Sequence, residues 1–356
     1  MCRRLNVERL ERSGGYHSEH DGVLSEASAE GLPGTRDKVF SATMLETYCK
    51  CPMSYFLRYV LHLRPLEGDD DSEALRVGNA AHRILFRFYR ERLAQGKGMI
   101  SPSEDLMSVN EQMRRIGEDV RNEFPMDSAE SEASFLSLVG NEGTNGTLGR
   151  FIENQAQVDR PRWSPAYLEY GFGSRFSMER NDASSTEDAA VIPLSDEQNL
   201  LLRGKVDRVD VKDDNFLIID YKTGEAPTYV SVARGYNMQM PLYLLACQQL
   251  LGKKPAGAAY YQLKNDDRFG MNLRIGSPSH KDELGGTPTA YRNGLTGDLE
   301  LCRRNVMEVL EGISSGVFHP VDTNDGERCP SYCPYLRICR KDEMRVMLMS
   351  RYEEVE

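Results

Sequence analysis

Residues 204–224 have the sequence GKVDRVDVKDDNFLIIDYKTG, in which the pair Asp213-Asp214 separates two strand-like runs. An acidic pair between two such runs predicts a β-hairpin with a two-residue turn. In that hairpin, residues whose numbers add to 427 face each other, and Asp207 and Asp220 are such a pair. Their side chains would lie on one face of the sheet, about 4.5–5.5 Å apart. Like charges so placed are destabilising unless a positive charge lies between them, and a divalent cation would supply it.

Lys222 joins the two aspartates, because side chains two residues apart on a strand share a face. Residues 216–219 form an unbroken apolar run, which is typical of a strand covered on both sides. The pattern therefore predicts two carboxylates and an ammonium group at the end of a buried strand. The alternative is an ordinary acidic hairpin with a solvated lysine, since the D-x-K spacing alone is common. The register and the buried strand together favour a functional site.

Composition limits the classes of protein that need to be considered. The chain has 356 residues, of which 40% are hydrophobic and 28% charged, so a globular, soluble protein with a sizeable core is expected. No stretch approaches the ~18–20 apolar residues of a membrane span, and the N-terminus lacks the apolar centre of a signal peptide, which predicts a cytoplasmic location. A net charge of −11 argues against a broad polyanion-binding surface. Arg83, Arg87 and Arg90 share a predicted helix face that either is solvated or contacts DNA.

The remaining pattern predicts an α/β fold in which helices flank a small central mixed sheet. Residues 1–37 are polar and rich in Gly and Ser, and we expect a tail or linker there. Thr43 and Glu46 fit a capping box that would open the first helix. Further helices are predicted at about 74–93, across 101–160 without clear apolar patterning, and at 236–251 and 298–315, and further strands at 165–172 and 256–263.

Several polar residues outside the hairpin have two open interpretations each. His82 lies on a helix face with apolar neighbours, where a lone histidine is more often a hydrogen-bonded core residue than a metal ligand. Gln239 and Tyr243 share a helix face and by default form a polar fringe. The Glu169 side chain, on its predicted strand, faces either solvent or the predicted site at Asp207 and Asp220. No phosphate-loop motif and no G-x-S-x-G elbow occurs in the chain, so those enzyme classes have no support.

Cys329, Cys333 and Cys339 cluster in the sequence ERCPSYCPYLRICRK. Disulfides are not expected in the cytoplasm, so three thiols so close together indicate metal ligation. A tetrahedral site needs a fourth ligand, for which Cys51 is the first choice and Cys49 the competitor. Thiolate ligation fits either zinc or an iron–sulfur cluster, and buried structural cysteines are the remaining alternative. Either metal would clamp the C-terminal segment onto the first helix.

The order of these motifs resembles a known family. The segments that carry the resemblance are SATMLETYCKCPMSYFLRYVL, GNAAHRILFRFY, YLEYGFG, GKVDRVDV, IIDYKTG, QMPLYLL and CPSYCPYLRIC. Together they resemble the PD-(D/E)xK nuclease superfamily, in particular its RecB-type branch and the C-terminal iron–sulfur nuclease domain of AddB helicase–nucleases. The resemblance runs from about Phe40 to Arg340. It implies a restriction-endonuclease-like core over residues 38–345, with a helical insertion at about 100–160 and a tail at 346–356.

The resemblance also implies a role for each candidate residue. The implied ligands of Mg²⁺ or Mn²⁺ are His82, Asp207, Asp220 and the backbone carbonyl of Tyr221. Lys222 would be the catalytic lysine, and Glu169 would belong to the active-site acids. Gln239 and Tyr243 would contact the DNA strand. The implied ligands of a [4Fe–4S] cluster are Cys51, Cys329, Cys333 and Cys339.

The implied function is metal-dependent hydrolysis of phosphodiester bonds in DNA, as an exonuclease on single-stranded ends in repair and recombination. Two departures from the family stand out. Three residues separate Cys329 and Cys333, where the family usually has two, and the helicase portion of AddB is absent. The chain is therefore expected to be either a nuclease fragment of a longer polypeptide or a free-standing relative of the family, and a helicase, linked or separate, is its expected partner. The alternatives are an inactive, cluster-stapled DNA-binding or scaffold module and a Cys₄ zinc protein.

Overall fold

A mixed sheet forms the centre of the molecule in the computed structural model. The structure describes residues 22–32, 34–64, 73–141, 144–157, 163–175, 181–264, 269–284, 286–321 and 333–339. Residues 1–21 and 346–356, which fall in the predicted tails, and Cys329 lie outside the described residues.

The α-helices of the described residues are α1 (Glu26–Glu30), α2 (Ala42–Lys50), α3 (Pro52–Tyr55), α4 (Glu73–Ala94), α5 (Leu106–Arg121), α6 (Ala129–Val139), α7 (Thr147–Gln157), α8 (Tyr229–Ala233), α9 (Gln239–Leu251), α10 (Lys281–Leu284) and α11 (Gly294–Ser314). The strands are β1 (Val39–Ser41), β2 (Gly140–Asn141), β3 (Thr144–Asn145), β4 (Ser164–Phe172), β5 (Ala190–Pro193), β6 (Asn199–Lys212), β7 (Asn215–Lys222), β8 (Lys254–Gln262) and β9 (Gly270–Gly276).

The long strand β6 organises the sheet. Its first half pairs in parallel with β1 and antiparallel with β5, and its second half pairs antiparallel with β4 and β7. Beyond β7 the sheet continues through a parallel pairing to β8 and an antiparallel pairing to β9. Among the described residues this gives a seven-stranded mixed sheet with helices on its faces. The predicted fold class is confirmed.

The hairpin β6–β7 has the predicted register. Lys212 pairs with Asn215, so facing residues add to 427. Asp213 adopts a left-handed backbone conformation in the turn, with a φ of 52°, as primed hairpin turns require. The apolar run of β7 is buried on both sides, since none of its four side chains is more than 2% exposed. Complete burial of each such side chain contributes about 1.5–3 kcal/mol, so this strand is held firmly in place.

The two faces of β7 enter two separate hydrophobic cores. Phe216 and Ile218 pack into a core that includes residues of α2, α9 and α11. Leu217 and Ile219 pack into a second core that includes residues of α4 and of the helices α5–α7. Because side chains alternate along a strand, each residue number on β7 determines which core its side chain enters. The end of β7 therefore lies between α4 on one face and α9 on the other.

The region predicted to be helical without patterning consists of α5, α6 and α7, with the short hairpin β2–β3 between the last two. The expectation of poor patterning is wrong. In α5 the side chains of Val109, Met113, Ile116 and Val120 are buried, and their spacing is that of one continuous helix face. This face belongs to the same core as α4, so the insertion is an integral part of the domain.

The predicted capping box at the start of α2 is wrong. Ser41, not Thr43, is the N-cap, and its hydroxyl accepts a hydrogen bond from the backbone N–H of Met44 at 3.3 Å. The Glu46 carboxylate instead accepts from the first two backbone N–H groups at the start of α9, at 2.7 and 3.0 Å. Glu46 thus caps a helix almost two hundred residues away, which local spacing does not reveal.

Part of the predicted N-terminal tail is ordered against the C-terminal side of the domain. The Phe318 N–H donates to the Gly22 carbonyl at 2.8 Å, and the Leu24 N–H donates to the Gly316 carbonyl at 2.9 Å. Helix α1 follows this pairing, and Leu24 packs against the core that contains α11. Residues 22–32 therefore belong structurally to the domain that follows them.

Candidate metal centre and its cleft

Three carboxylates lie side by side on three neighbouring strands. The pairing of β6 with β7 ends at Arg208 and Ile219, so Asp207 and Asp220 occupy the next facing positions. On the other side of β6, Leu168 of β4 pairs with Arg208, which brings Glu169 beside Asp207. We call Glu169, Asp207 and Asp220 the acid cluster. It lies at the end of the sheet, between α4 and α9.

Glu169 reaches this position through an uncommon backbone conformation. Its φ is 52°, in the left-handed region that a non-glycine residue adopts at a cost of about 1–2 kcal/mol. The Glu169 carbonyl accepts hydrogen bonds from the Asn181 side chain at 3.1 Å and from the Asp182 N–H at 3.3 Å. These contacts hold the strained backbone in place. Strain of this kind persists only where the surrounding structure holds it, and it often occurs at functional sites.

His82 completes a group that can hold a cation. Its Nδ1 atom lies 3.2 Å from Asp207 Oδ2 and 4.0 Å from Glu169 Oε1. One ligand atom from each of the three residues lies within 4.8 Å of the other two. The Tyr221 N–H donates to Asp207 Oδ2 at 2.9 Å and orients that carboxylate. The histidine that the sequence left open between core and site therefore points at the acid cluster.

Each member of the acid cluster also has a positive or amide partner. Lys222 Nζ lies 2.6 Å from Asp220 Oδ2, and Gln239 Nε2 donates to Asp220 Oδ1 at 2.9 Å. Glu169 forms an ion pair with Lys205, which the sequence reasoning did not single out. Lys205 lies two residues before Asp207 on β6, so the period of two that located Lys222 was the signal for Lys205 as well.

The electrostatics of the cluster favour a cation. Burial, followed by the nearby Asp207 charge, raises the pKa of Asp220 to about 6 and the pKa of Glu169 to about 7. Burial acts to lower the pKa of His82, but Asp207, Glu169 and Asp220 outweigh it and raise the pKa to about 9. Burial acts to raise the pKa of Asp207, but the charge and hydrogen bond of His82 and the Tyr221 N–H hold it below its usual value. Three carboxylates are thus held close together in a partly desolvated space, where Lys205, Lys222 and His82 lie beside them.

The acid cluster forms the floor of a cleft with a volume of about 540 Å³. All predicted side-chain ligands of the divalent ion, the catalytic lysine and both predicted DNA-contacting residues line this cleft. Its lining residues are Asn79, His82, Arg83, Phe86, Glu123, Phe124, Glu169, Lys205, Asp207, Asp220, Lys222, Gln239 and Tyr243.

Tyr243 is largely covered by protein atoms. The side chain is buried, and its ring packs edge-on against Phe172 at a centroid distance of 5.9 Å. A Cβ atom at Gly204 would lie 2.6 Å from Tyr243 Cε1, so only glycine permits the ring to pack this closely. Tyr243 also hydrogen-bonds to the backbone of Lys205. The ring is therefore not available as a stacking platform for a nucleic-acid base.

The described cysteines of the predicted cluster lie together at a second site. Cys51, Cys333 and Cys339 line one small cavity. Burial, and further the proximity of Cys339 and Cys333, raises the pKa of the Cys51 thiol. Cys49 lies elsewhere, since a Cβ atom at Gly235 would lie 3.2 Å from its sulfur. The geometry thus groups Cys51, and not Cys49, with the two C-terminal thiols.

A buried ion pair lies behind the acid cluster, and sequence reasoning missed it. Arg208 donates to both carboxylate oxygens of Asp210 at 2.5 and 2.7 Å, and both side chains are 1% exposed. The guanidinium lies over the Tyr89 ring at 4.4 Å and within 3.4 Å of the Tyr221 hydroxyl. The signal in the sequence was a pair of opposite charges two residues apart, which places Arg208 and Asp210 on the same face of the strand.

This architecture, a mixed sheet flanked by helices with an acid cluster and a lysine at one edge, defines a class of nucleases by its fold. A family model of the PD-(D/E)XK nuclease superfamily matches residues 39–340. The chain belongs to this superfamily.

Several curated relatives, each named as one subunit of an ATP-dependent helicase/deoxyribonuclease, are similar to this chain. The protein of Carboxydothermus hydrogenoformans is 26% identical over a match that covers 90% of this chain and 32% of the relative. The proteins of Moorella thermoacetica and Listeria welshimeri are each 27% identical over matches that cover 72% and 70% of this chain and 22% and 21% of the relatives. The chain therefore spans about a third or less of the length of these relatives. Among the described residues, no helix has the length and apolar character needed to cross a membrane.

Proposed function

We propose that this chain is a metal-dependent nuclease that hydrolyses phosphodiester bonds in DNA. One observation carries the proposal. On the floor of an open cleft, three possible metal ligands, His82, Glu169 and Asp207, lie together beside the Asp220–Lys222 pair. Membership of a nuclease superfamily supports the reaction class, and the word deoxyribonuclease in the relatives' names supports DNA as the substrate.

The donor set fits a hard divalent cation. Carboxylate oxygens with one imidazole suit Mg²⁺ or Mn²⁺. Burial, followed by the nearby Asp207 charge, raises the pKa of Asp220 and Glu169, and a bound cation would offset both effects. We assign Asp207, Asp220, His82 and the Tyr221 carbonyl as its ligands, with Glu169 as a further acid. When bound, the ion polarises a phosphoryl oxygen and lowers the pKa of a coordinated water.

The protein's own side chains contribute orientation and charge. Lys222, held by Asp220 at the cleft floor, is placed to orient the attacking water and to offset negative charge on the phosphate. Gln239 is fixed by its hydrogen bond to Asp220 and by the Glu46 cap at the start of α9. Tyr243 contributes by packing and by its hydrogen bond to the Lys205 backbone, because its ring is covered.

Strand-end-labelled DNA with and without Mg²⁺ tests this proposal. We expect Asp220→Ala and Lys222→Ala each to abolish cleavage while the fold is retained. Asp214→Ala is the matched control, since it removes an exposed carboxylate from the turn of the same hairpin. Full Mg²⁺-dependent activity in both site variants would reject the assignment. A wild-type protein that binds DNA without cutting it would instead favour the scaffold alternative. The label also reports whether single-stranded ends are preferred.

We further propose that Cys51, Cys329, Cys333 and Cys339 bind a [4Fe–4S] cluster. The three described thiols of this set line one cavity, and soft thiolate donors suit iron–sulfur clusters as well as zinc. The test is metal and sulfide analysis after anaerobic purification. Cys51→Ser should lose the metal, whereas the matched variant Cys49→Ser should keep it. Colourless protein with zinc and no iron would exclude the cluster.

We also propose that the nuclease acts with a helicase, either on the same polypeptide or as a partner. The relatives' names combine the two activities, and the chain spans about a third or less of their length. A cytoplasmic location stays a prediction.

A further inference from the structure

One wall of the cleft carries two arginines that share a single acidic partner. Arg83 and Arg87 lie one turn apart on α4, and both form ion pairs with Glu123. The Arg83 Nε atom lies 3.1 Å from Glu123 Oε2. Arg83 and Glu123 line the cleft, and Arg83 directly follows the candidate ligand His82. A guanidinium and the carboxylate that covers it thus lie beside the proposed metal site.

A DNA strand must meet positive charge to enter this cleft, because the floor is strongly acidic. The two lysines of the floor already form ion pairs, Lys205 with Glu169 and Lys222 with Asp220. Arg83 is the cleft-lining guanidinium, and its planar fork of donors matches phosphate as well as carboxylate. Glu123 is the cleft-lining acid that does not belong to the floor.

Arg83 is held independently of Glu123. Its guanidinium carbon lies 5.6 Å from the centroid of the Phe86 ring, one turn along α4, and only 12% of the side chain is exposed. Cation–π contact of this kind fixes the guanidinium over the ring. Release of the carboxylate would therefore leave Arg83 in place, with its donors directed into the cleft.

Glu123, in contrast, lies on an exposed turn. It follows α5 in the helical insertion, and 30% of its side chain is accessible to solvent. Ion pairs at accessible positions are weak and are screened by salt. A phosphate group carried into the cleft by a polyanionic strand can therefore replace this carboxylate.

We propose that Arg83 binds a backbone phosphate of the DNA strand that enters the metal site, and that Glu123 of the helical insertion masks Arg83 until that phosphate replaces it. The inference rests on the proposed function and deepens it, since it assigns the path of the substrate strand next to His82. It also gives the helical insertion a role, because the insertion supplies the competing carboxylate.

Binding of a fluorescent oligo(dT) strand, measured by anisotropy in the Asp220→Ala background, tests the inference without cleavage. Glu123→Gln should tighten binding about threefold to tenfold, because the ion pair no longer competes. Arg83→Gln should weaken binding about fivefold and reduce the slope of log K against log salt by about 0.7, as expected for one lost phosphate contact with a single strand. Arg83→Lys keeps the charge without the fork and should bind at an intermediate level.

Glu111→Gln is the matched control, since it removes one carboxylate from an exposed ion pair with Arg114 on α5, away from the cleft. It should leave binding unchanged within twofold. In the Arg83→Gln background, Glu123→Gln should raise the affinity for oligo(dT) less than twofold, because the masked guanidinium is no longer present. Equal affinities for the Glu123→Gln and Glu111→Gln variants, or an unchanged salt slope for Arg83→Gln, would overturn the inference. A wild-type protein that cuts no DNA but shows the predicted binding pattern would refute the nuclease proposal and retain this one.

Discussion

Asp207 and Asp210 lie three residues apart on β6 and have different surroundings. Asp210 faces one core, where Arg208 donates to both of its oxygens and both side chains are excluded from water. Asp207 faces the other side, beside two further carboxylates and one histidine. The buried ion pair is sealed from water, whereas the acid cluster lines an open cleft together with its lysine and histidine partners. The sealed pair serves the fold, and the acid cluster is accessible to a cation.

The first prediction separates the two aspartates by activity. Asp207→Asn removes a proposed metal ligand without changing the volume of the side chain, so we expect DNA cleavage to fall about 10³-fold. Because His82 holds the pKa of Asp207 below its usual value, the charged carboxylate stabilises the metal-free protein, and the thermal unfolding midpoint of the metal-free variant should fall. Cleavage rates on end-labelled DNA and a melting curve measure both effects. Activity within tenfold of the wild-type rate would remove Asp207 from the site.

The second prediction breaks the buried ion pair. Arg208→Met leaves the Asp210 carboxylate uncompensated and buried, which should lower the free energy of unfolding by about 3–5 kcal/mol. Replacing both residues, as in Arg208→Met/Asp210→Leu, should recover most of that loss. Urea unfolding measures both variants. The control is Arg115→Met, which breaks an exposed pair with Glu91 and should cost less than about 1 kcal/mol. An Arg208→Met protein as stable as this control would contradict the comparison.

The third prediction concerns metal addition. At a Mg²⁺ concentration of 100 times the dissociation constant, binding should stabilise the wild-type protein by about 2.7 kcal/mol and raise its unfolding midpoint by several degrees. The Asp207→Asn variant should show a much smaller rise, and a variant of the exposed turn residue Asp214 should match the wild type. Differential scanning fluorimetry in Mg²⁺ and in EDTA measures the unfolding midpoint of each of the three proteins. An equal rise in all three proteins would place the stabilising ion elsewhere.

The smallest effect is the pH dependence of the metal-free acid cluster. The pKa of Asp220 is raised in the folded protein to about 6, so its contribution to stability is lost as pH rises from about 4 through about 6. Asp220→Asn should flatten this fall. In EDTA at neutral pH the variant's free energy of unfolding should be roughly 1 kcal/mol higher than that of the wild type. The gain is smaller than the free energy equivalent to the full pKa shift, because Lys222 loses its partner. Urea titrations at several pH values measure it. Parallel curves for variant and wild type would contradict the expectation.

Local patterns predicted the features that depend on neighbouring residues. The turn at Asp213-Asp214 set the register of β6 and β7, and the period of two placed Lys222 on the face of Asp220. Burial of β7 followed from its apolar run. The helix containing His82 was located to within a residue of each end. In each case the interacting groups lie within a few residues, or across one tight turn.

Features that depend on distant contacts were not predicted correctly. Glu46 has the spacing of a capping box, yet its carboxylate caps α9. Strand β5 was not among the predicted strands, because acidic residues surround it in the sequence, yet its side chains Ala190 and Ile192 are buried. Strands β1 and β9 were also missed; both lie at edges of the sheet, and β1 has only three residues. Cys49, in the last turn of α2, and Cys51, at the start of α3, were separable only by which way each side chain points in the folded protein.

By itself the amino-acid sequence determined that Asp207 and Asp220 face each other with Lys222 beside them, because alternation along a strand and the length of a turn are local properties. It also determined the family, through the order of its motifs. Only the tertiary structure decided that His82 and Glu169 meet Asp207, that Glu123 covers Arg83, and that Asp210 is sealed in a core while Asp207 lines a cleft. These contacts join segments far apart in the chain, and the packing of two cores on one sheet brings them together.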